Sequence, residues 1–150
     1  ERAPVGPRRA CQAGVVTMQL AFYKAPGTWA DRAIRVFTGS KYSHVELVIG
    51  TECWSASARD GFVRAKTMWL DPDKWDVIDI HGAEPFALAW FTQHAGQRYD
   101  WAGVARFVLP LLPNSRNRWF CSEAVAAALA QPEPDLWTPQ MLFERYAAQQ

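Results

Sequence analysis

Ser43–Gly50, SHVELVIG, alternates strictly, and that alternation decides the fold class. His44, Glu46 and Val48 fall on one side of an extended chain, and Val45, Leu47 and Ile49 on the other. A run with one wholly apolar side belongs to a sheet packed on a core, with His44 and Glu46 directed away from that core. Gly50–Glu52 then turns the chain, and CWSAS (Cys53–Ser57) reads as a second short strand. Asp60–Gly61 marks a hairpin, from which Phe62–Lys66 returns. WDVIDIH (Trp75–His81) alternates again, and upstream MQLAFY (Met18–Tyr23) is short and apolar enough for a strand. The spacing predicts a small antiparallel meander.

Around this cluster the pattern is helical. Thr28 stands as an N-cap before WADRAIRVF, with Asp31 in the first turn and Gly39 closing the helix. Pro85 opens a helix through Phe86–His94 that ends at Gly96. Trp101–Leu109 reads as another, capped by Asp100 and stopped by Pro110. WFCSEAVAAALA (Trp119–Ala130) has the highest helix propensity in the chain, and Pro132 and Pro134 end it. Thr138–Pro139 begins a last helix to about Ala148. One helix, a strand cluster and a helical second half predict an α+β fold, a small sheet packed against helices.

The chain has 150 residues, 49% hydrophobic and 13% aromatic, enough for one domain with a packed core. Its 16 Lys+Arg against 15 Asp+Glu leave a net charge of +1, which makes no electrostatic case for nucleic acid. No apolar run reaches the ~18 residues of a membrane span, so no integral membrane segment is expected. Cys11, Cys53 and Cys121 are odd in number and lack zinc-site spacing, so neither a disulfide framework nor a metal or other cofactor is expected. In residues 1–17, Arg2, Arg8 and Arg9 oppose Glu1, a local charge of +2. That segment reads as a poorly structured basic arm ahead of a domain at 18–150. It lacks an apolar signal core, so the default placement is cytoplasmic.

Two residues carry the expectation of chemistry. Cys121 opens the Ala-rich helix, where free N–H groups and the helix dipole favour a thiolate, the nucleophile of cysteine hydrolases. The bland alternative is a small buried hydrophobe. His44 opens a strand with its ring off the core, where a general base can stand. His81 and His94 sit at element ends without metal spacing. Core packing is the default for most of the eight tryptophans, Trp54 among them. Arg59 and Arg64 flank the Asp60–Gly61 turn and read as solvated loop charges.

SHVELVIG resembles the histidine strand of the NlpC-type papain-like cysteine peptidases. GQRYD (Gly96–Asp100) resembles that family's G-x-x-Tyr-Asp segment, WFCSEAV (Trp119–Val125) its cysteine helix start, and Thr138–Pro139 a Thr-Pro near the end of one branch. His44 precedes Cys121, the order of the circularly permuted branch, the YiiX/YaeF-like group related to lecithin retinol acyltransferase. The resemblance implies a permuted papain-like fold and a Cys121–His44 pair that attacks an amide or ester carbonyl. It also implies a third polar residue that orients His44. Ser55 on the next strand falls closest to that position. Glu46 is the rival orienter, disfavoured because residues i and i+2 of one strand lie ~7 Å apart. The Cys121 backbone N–H and the Tyr99 hydroxyl are candidates for an oxyanion site. The expected substrate is peptide-like, a cell-wall peptide first. The alternatives are a lipid-ester hydrolase or acyltransferase of the same fold, and a binding module with a dead site.

Overall fold

The computed structural model describes residues 18–150, and the expected basic arm, with Cys11, lies outside them. Six elements arrive as the alternation and, for the helix, the caps predict. They are β1 (Met18–Tyr23), α1 (Trp29–Thr38), β2 (His44–Ile49), β3 (Glu52–Ser57), β4 (Phe62–Lys66) and β5 (Trp75–Ile80). The second half brings α2 (Glu84–His94), β6 (Arg98–Tyr99), α3 (Trp101–Ala105), β7 (Arg118–Trp119), α4 (Cys121–Ala128) and α5 (Pro139–Ala147). A 3-10 turn at Pro134–Leu136 separates α4 from α5. Among the described residues this is an α+β fold of five α-helices and one seven-stranded sheet, ordered β5-β1-β2-β3-β4-β6-β7. None of these helices is long and apolar enough to cross a membrane.

The sheet is larger than the predicted meander and is not wholly antiparallel. β6 and β7 extend it, and they pair in parallel with Arg98 opposite Arg118 and Tyr99 opposite Trp119. Two-residue strands are too short for any periodicity to show. Their pairing shortens the helix expected from Trp119. Arg118 and Trp119 are committed to the ladder, Asp100 N–H donates to the Trp119 carbonyl at 2.9 Å, and Phe120 is extended. Cys121 is therefore the first residue of α4.

The helix expected over Trp101–Leu109 also stops early, at Ala105. Phe107 and Val108 bond back three residues, to Val104 and Ala105, so the coil tightens into turns before Pro110. The predicted caps hold. Asp100 Oδ1 accepts from Gly103 N–H at 2.9 Å, and Thr138 Oγ1 accepts from Met141 N–H at 3.1 Å. Asp31 accepts the Thr28 N–H at 2.6 Å, closing the first turn of α1. Glycine is required at position 27, where φ is +62° and an added Cβ would stand 2.1 Å from Asp31 Oδ2.

The apolar face that decided the fold forms the main core. Leu20, Phe22, Val45, Leu47, Trp54, Ala56 and Val63 meet Val104, Phe120, Ala124, Val125, Ala128 and Leu142. α4 is buried almost all round, which its alanines permit because small side chains let a helix approach the sheet and α2 together. The opposite sheet face is different. It carries a smaller apolar cluster of Ala21, Val48 and Cys53 under Met68, Leu70 and Trp75, and beside it the polar row that makes the site.

Candidate active site

Strand register builds that row. Ser55 pairs with Arg64 across β3 and β4, and Leu47 pairs with Trp54, which sets Glu46 opposite Ser55 on the other side. Glu46, Ser55 and Arg64 thus lie in line across three strands, all on the face that His44 shares. The middle side chain is small, so the two long ones close over it. Arg64 Nη2 stands 2.6 Å from Glu46 Oε1 and Nη1 stands 2.8 Å from Oε2, a two-pronged clamp. Arg64 Nε reaches Asp60 Oδ2 at 2.7 Å. The Glu46 side chain is 0% exposed and that of Arg64 10%, so this is a buried ion pair.

His44 Nε2 lies 2.6 Å from Glu46 Oε1. The Cys121 thiol is close enough to the ring to raise the His44 pKa, and Nε2 is already occupied by Glu46, so Nδ1 is the nitrogen left to face sulfur. The imidazole is the link between a carboxylate on its own strand and the cysteine that opens α4. Burial works against a charge on His44. The Glu46 charge, the hydrogen bonds to Cys121 and Glu46, and the Cys121 charge outweigh it and raise the pKa to about 9. Burial likewise works against the Glu46 carboxylate, but His44 and Arg64 hold its pKa below the ordinary value.

The side chain that meets the His44 ring is that of Glu46, the rival candidate, and not that of Ser55. The Ser55 hydroxyl donates to the Val45 carbonyl at 2.7 Å and is turned into the sheet. The ~7 Å spacing that disfavoured Glu46 is the Cα repeat of a strand, and a glutamate side chain spans most of it. Arg64 supplies what a lone carboxylate would lack here, a fixed partner that holds it ionised. Arg64 itself was read as a solvated loop charge. The signal that could have found it was the hairpin register, since a four-residue loop at 58–61 puts Ser57 opposite Phe62 and Arg64 opposite Ser55. Arg59 keeps its expected place, with a side chain 57% exposed and 3.2 Å from Asp31.

Cys121 is 1% exposed and stands at the first helical position of α4, among the N–H groups that have no partner within the helix. The Tyr99 hydroxyl is buried beside the Cys121 backbone N–H and has no well-aligned hydrogen-bond partner. Burial and the neighbouring Cys121 charge drive the Tyr99 pKa well above its ordinary value, so this hydroxyl stays protonated and can donate. Asp100 serves as the α3 cap. Cys53 sits on the same sheet face as Ser55, under Met68 and Leu70, and burial pushes its thiol up to about 11. His94 stacks on Trp90 with ring centroids 4.0 Å apart and is a packing residue. Trp54 lies in the core, as expected, tilted against Phe91.

A cavity of about 130 Å³ opens beside His44 and Glu46. Asp31, Arg59, Asp60, Arg64 and Lys66 contribute its charged wall, and Tyr23, Met68 and Trp75 its apolar one. Cys121 does not line this cavity; His44 and Glu46 do. No family model matches the sequence, and no curated protein matches it either.

Proposed function

We propose that the protein is a thiol hydrolase of circularly permuted papain-like type that cleaves an amide bond in a peptide-like substrate. The observation that carries this reading is the His44 ring, bonded to the Glu46 carboxylate at 2.6 Å and near enough to Cys121, the first residue of α4, for the thiol to raise its pKa. The Cys121 thiolate, balanced by the protonated His44 ring, attacks the carbonyl carbon, and a carbon–sulfur bond forms as the carbonyl π pair moves onto oxygen. Negative charge gathers on the carbonyl oxygen, which the Cys121 N–H and the Tyr99 hydroxyl meet. When the intermediate collapses, the carbon–nitrogen bond breaks and His44 gives its proton to the leaving amine. Water, giving a proton to His44, then attacks the thioester, and collapse releases the carboxylic acid and restores the Cys121 thiolate beside protonated His44. Glu46 fixes the ring and balances the imidazolium, and Arg64 holds Glu46.

A peptide-like amide suits the cavity beside His44 better than an acyl tail does, because six charged side chains, Glu46 among them, line it. The cell-wall peptide rests on the resemblance of SHVELVIG, GQRYD and WFCSEAV alone. Thiol labelling tests the reading without any substrate. Iodoacetamide at neutral pH, followed by peptide mass mapping, should modify Cys121 well before Cys53, whose thiol is pushed up to about 11. His44→Ala should slow the Cys121 reaction and leave Cys53 unchanged. Equal rates at the two cysteines, or a Cys121 rate indifferent to His44→Ala, would make the domain a binding module instead.

A further inference from the structure

Two segments beside the site expose large apolar side chains that the core does not use. On the outer face of α1, Trp29 is 76% exposed and Val36 75%. In the connection from α3 to β7, Val108 is 53% exposed, Leu109 57% and Leu111 100%. The segments are neighbours. α1 packs on α3, and Trp29 stacks on Trp101 with centroids 5.9 Å apart and planes 15° from parallel. Both reach the site: Ala30, Asp31 and Ile34 of α1 line the cavity at His44, and Trp101 lies edge-on to Tyr99. Pro110 and Pro113 bracket the apolar tip and restrict its backbone, so Leu111 is presented by a stiff loop.

The charge on these segments has one sign at the surface. Residues 29–38 and 101–119 hold Arg32, Arg35, Arg106, Arg116 and Arg118 against a single acid, Asp31. Asp31 is buried and accepts from Thr28 and Ser43. Arg106 pairs with Asp135, and Arg35 donates to the Ala25 and Lys41 carbonyls. Arg32, Arg116 and Arg118 are exposed and make no ion pair among the described residues. A projecting apolar tip and an amphipathic helix flanked by unpaired arginines, with no exposed acid, match the surface of an anionic bilayer. The apolar tips gain from leaving water for the acyl boundary, and the arginines meet lipid phosphates.

We propose that the outer face of α1 and the 106–117 loop dock the protein on an anionic lipid bilayer, with the site held at the membrane surface. Trp29, Val36, Val108, Leu109 and Leu111 enter the headgroup layer, and Arg32, Arg116 and Arg118 contact phosphates. This does not depend on Cys121 chemistry, and Cys121→Ala should dock as the parent does. The test is co-sedimentation of the full chain with vesicles of phosphatidylcholine, alone or containing phosphatidylglycerol. Binding should require phosphatidylglycerol and weaken as salt rises. Arg116→Gln with Arg118→Gln should weaken it about tenfold or more, since each arginine near an anionic surface contributes on the order of fivefold. Leu109→Glu with Leu111→Glu should abolish it with little change in the denaturation midpoint, because Leu111 is wholly exposed and Leu109 more than half. No sedimentation with phosphatidylglycerol at low salt would overturn the proposal. So would sedimentation that the leucine variant leaves intact, or a dimer in solution that the leucine variant dissolves.

Discussion

Arg64→Met should cost about 3–5 kcal/mol of folding stability, the usual penalty for removing one partner of a buried ion pair. The magnitude follows from the contacts. The substitution breaks two charge-assisted hydrogen bonds, at 2.6 and 2.8 Å, to a carboxylate with no solvent exposure. At about 1.5–3 kcal/mol each, two such bonds give about 3–6 kcal/mol, which spans that range. The third contact adds little, because Asp60 is one-third exposed and rehydrates when released. Glu46→Gln should cost a similar amount, since it leaves Arg64 buried with Asp60 alone and takes the carboxylate from His44. The double variant removes both charges, so it should be more stable than the sum of the two losses predicts, by about 2 kcal/mol or more. Urea denaturation of the parent, both single variants and the double variant at pH 7 measures this directly. Additive losses, or single losses below ~1 kcal/mol, would show that Glu46 and Arg64 are not paired in the folded protein.

Tyr99→Phe should leave stability nearly unchanged, because the hydroxyl it removes is buried without a well-aligned partner; turnover should fall by about 10²-fold with little change in KM. Ser55→Ala should cost ~1 kcal/mol, for its bond to the Val45 carbonyl, and should spare turnover that Glu46→Gln cripples. Folding raises the His44 pKa from 6.5 to about 9, so the folded state holds that proton more tightly. Its contribution to stability should be complete below pH 6.5 and be lost as pH rises through about 9, and denaturation midpoints across that window should show a shallower fall in Glu46→Gln. Burial pushes the Glu123 carboxyl up from 4.5 to about 8, with Asp100 and Asp135 adding to the effect. Ionising it therefore costs stability progressively between those values, and Glu123→Gln should be the more stable protein above pH 8, as thermal midpoints would report.

The sequence by itself determined the α+β class, six strand and helix segments from Met18 to Ile80, and the placement of a histidine at a strand start and a cysteine at a helix start. Those are local properties. Side-chain alternation, caps such as Thr28 and Asp100, and proline stops act within a few residues and leave a pattern in the string. The β6–β7 pair left none, because two residues cannot show a period; only the long-range partner makes Arg98–Tyr99 a strand, and that partner in turn moves the start of α4 from Trp119 to Cys121. The hydrogen-bond partner of His44 was decided the same way. Chain spacing ranks Glu46 behind Ser55, because along one strand it counts only Cα repeats. The tertiary structure reverses the rank by bringing Arg64, eighteen residues away, across two strands to clamp a carboxylate that would otherwise be costly to bury beside His44. A buried charge takes its position and its protonation from whatever the sheet lays against it, and strand register sets that, not distance along the chain.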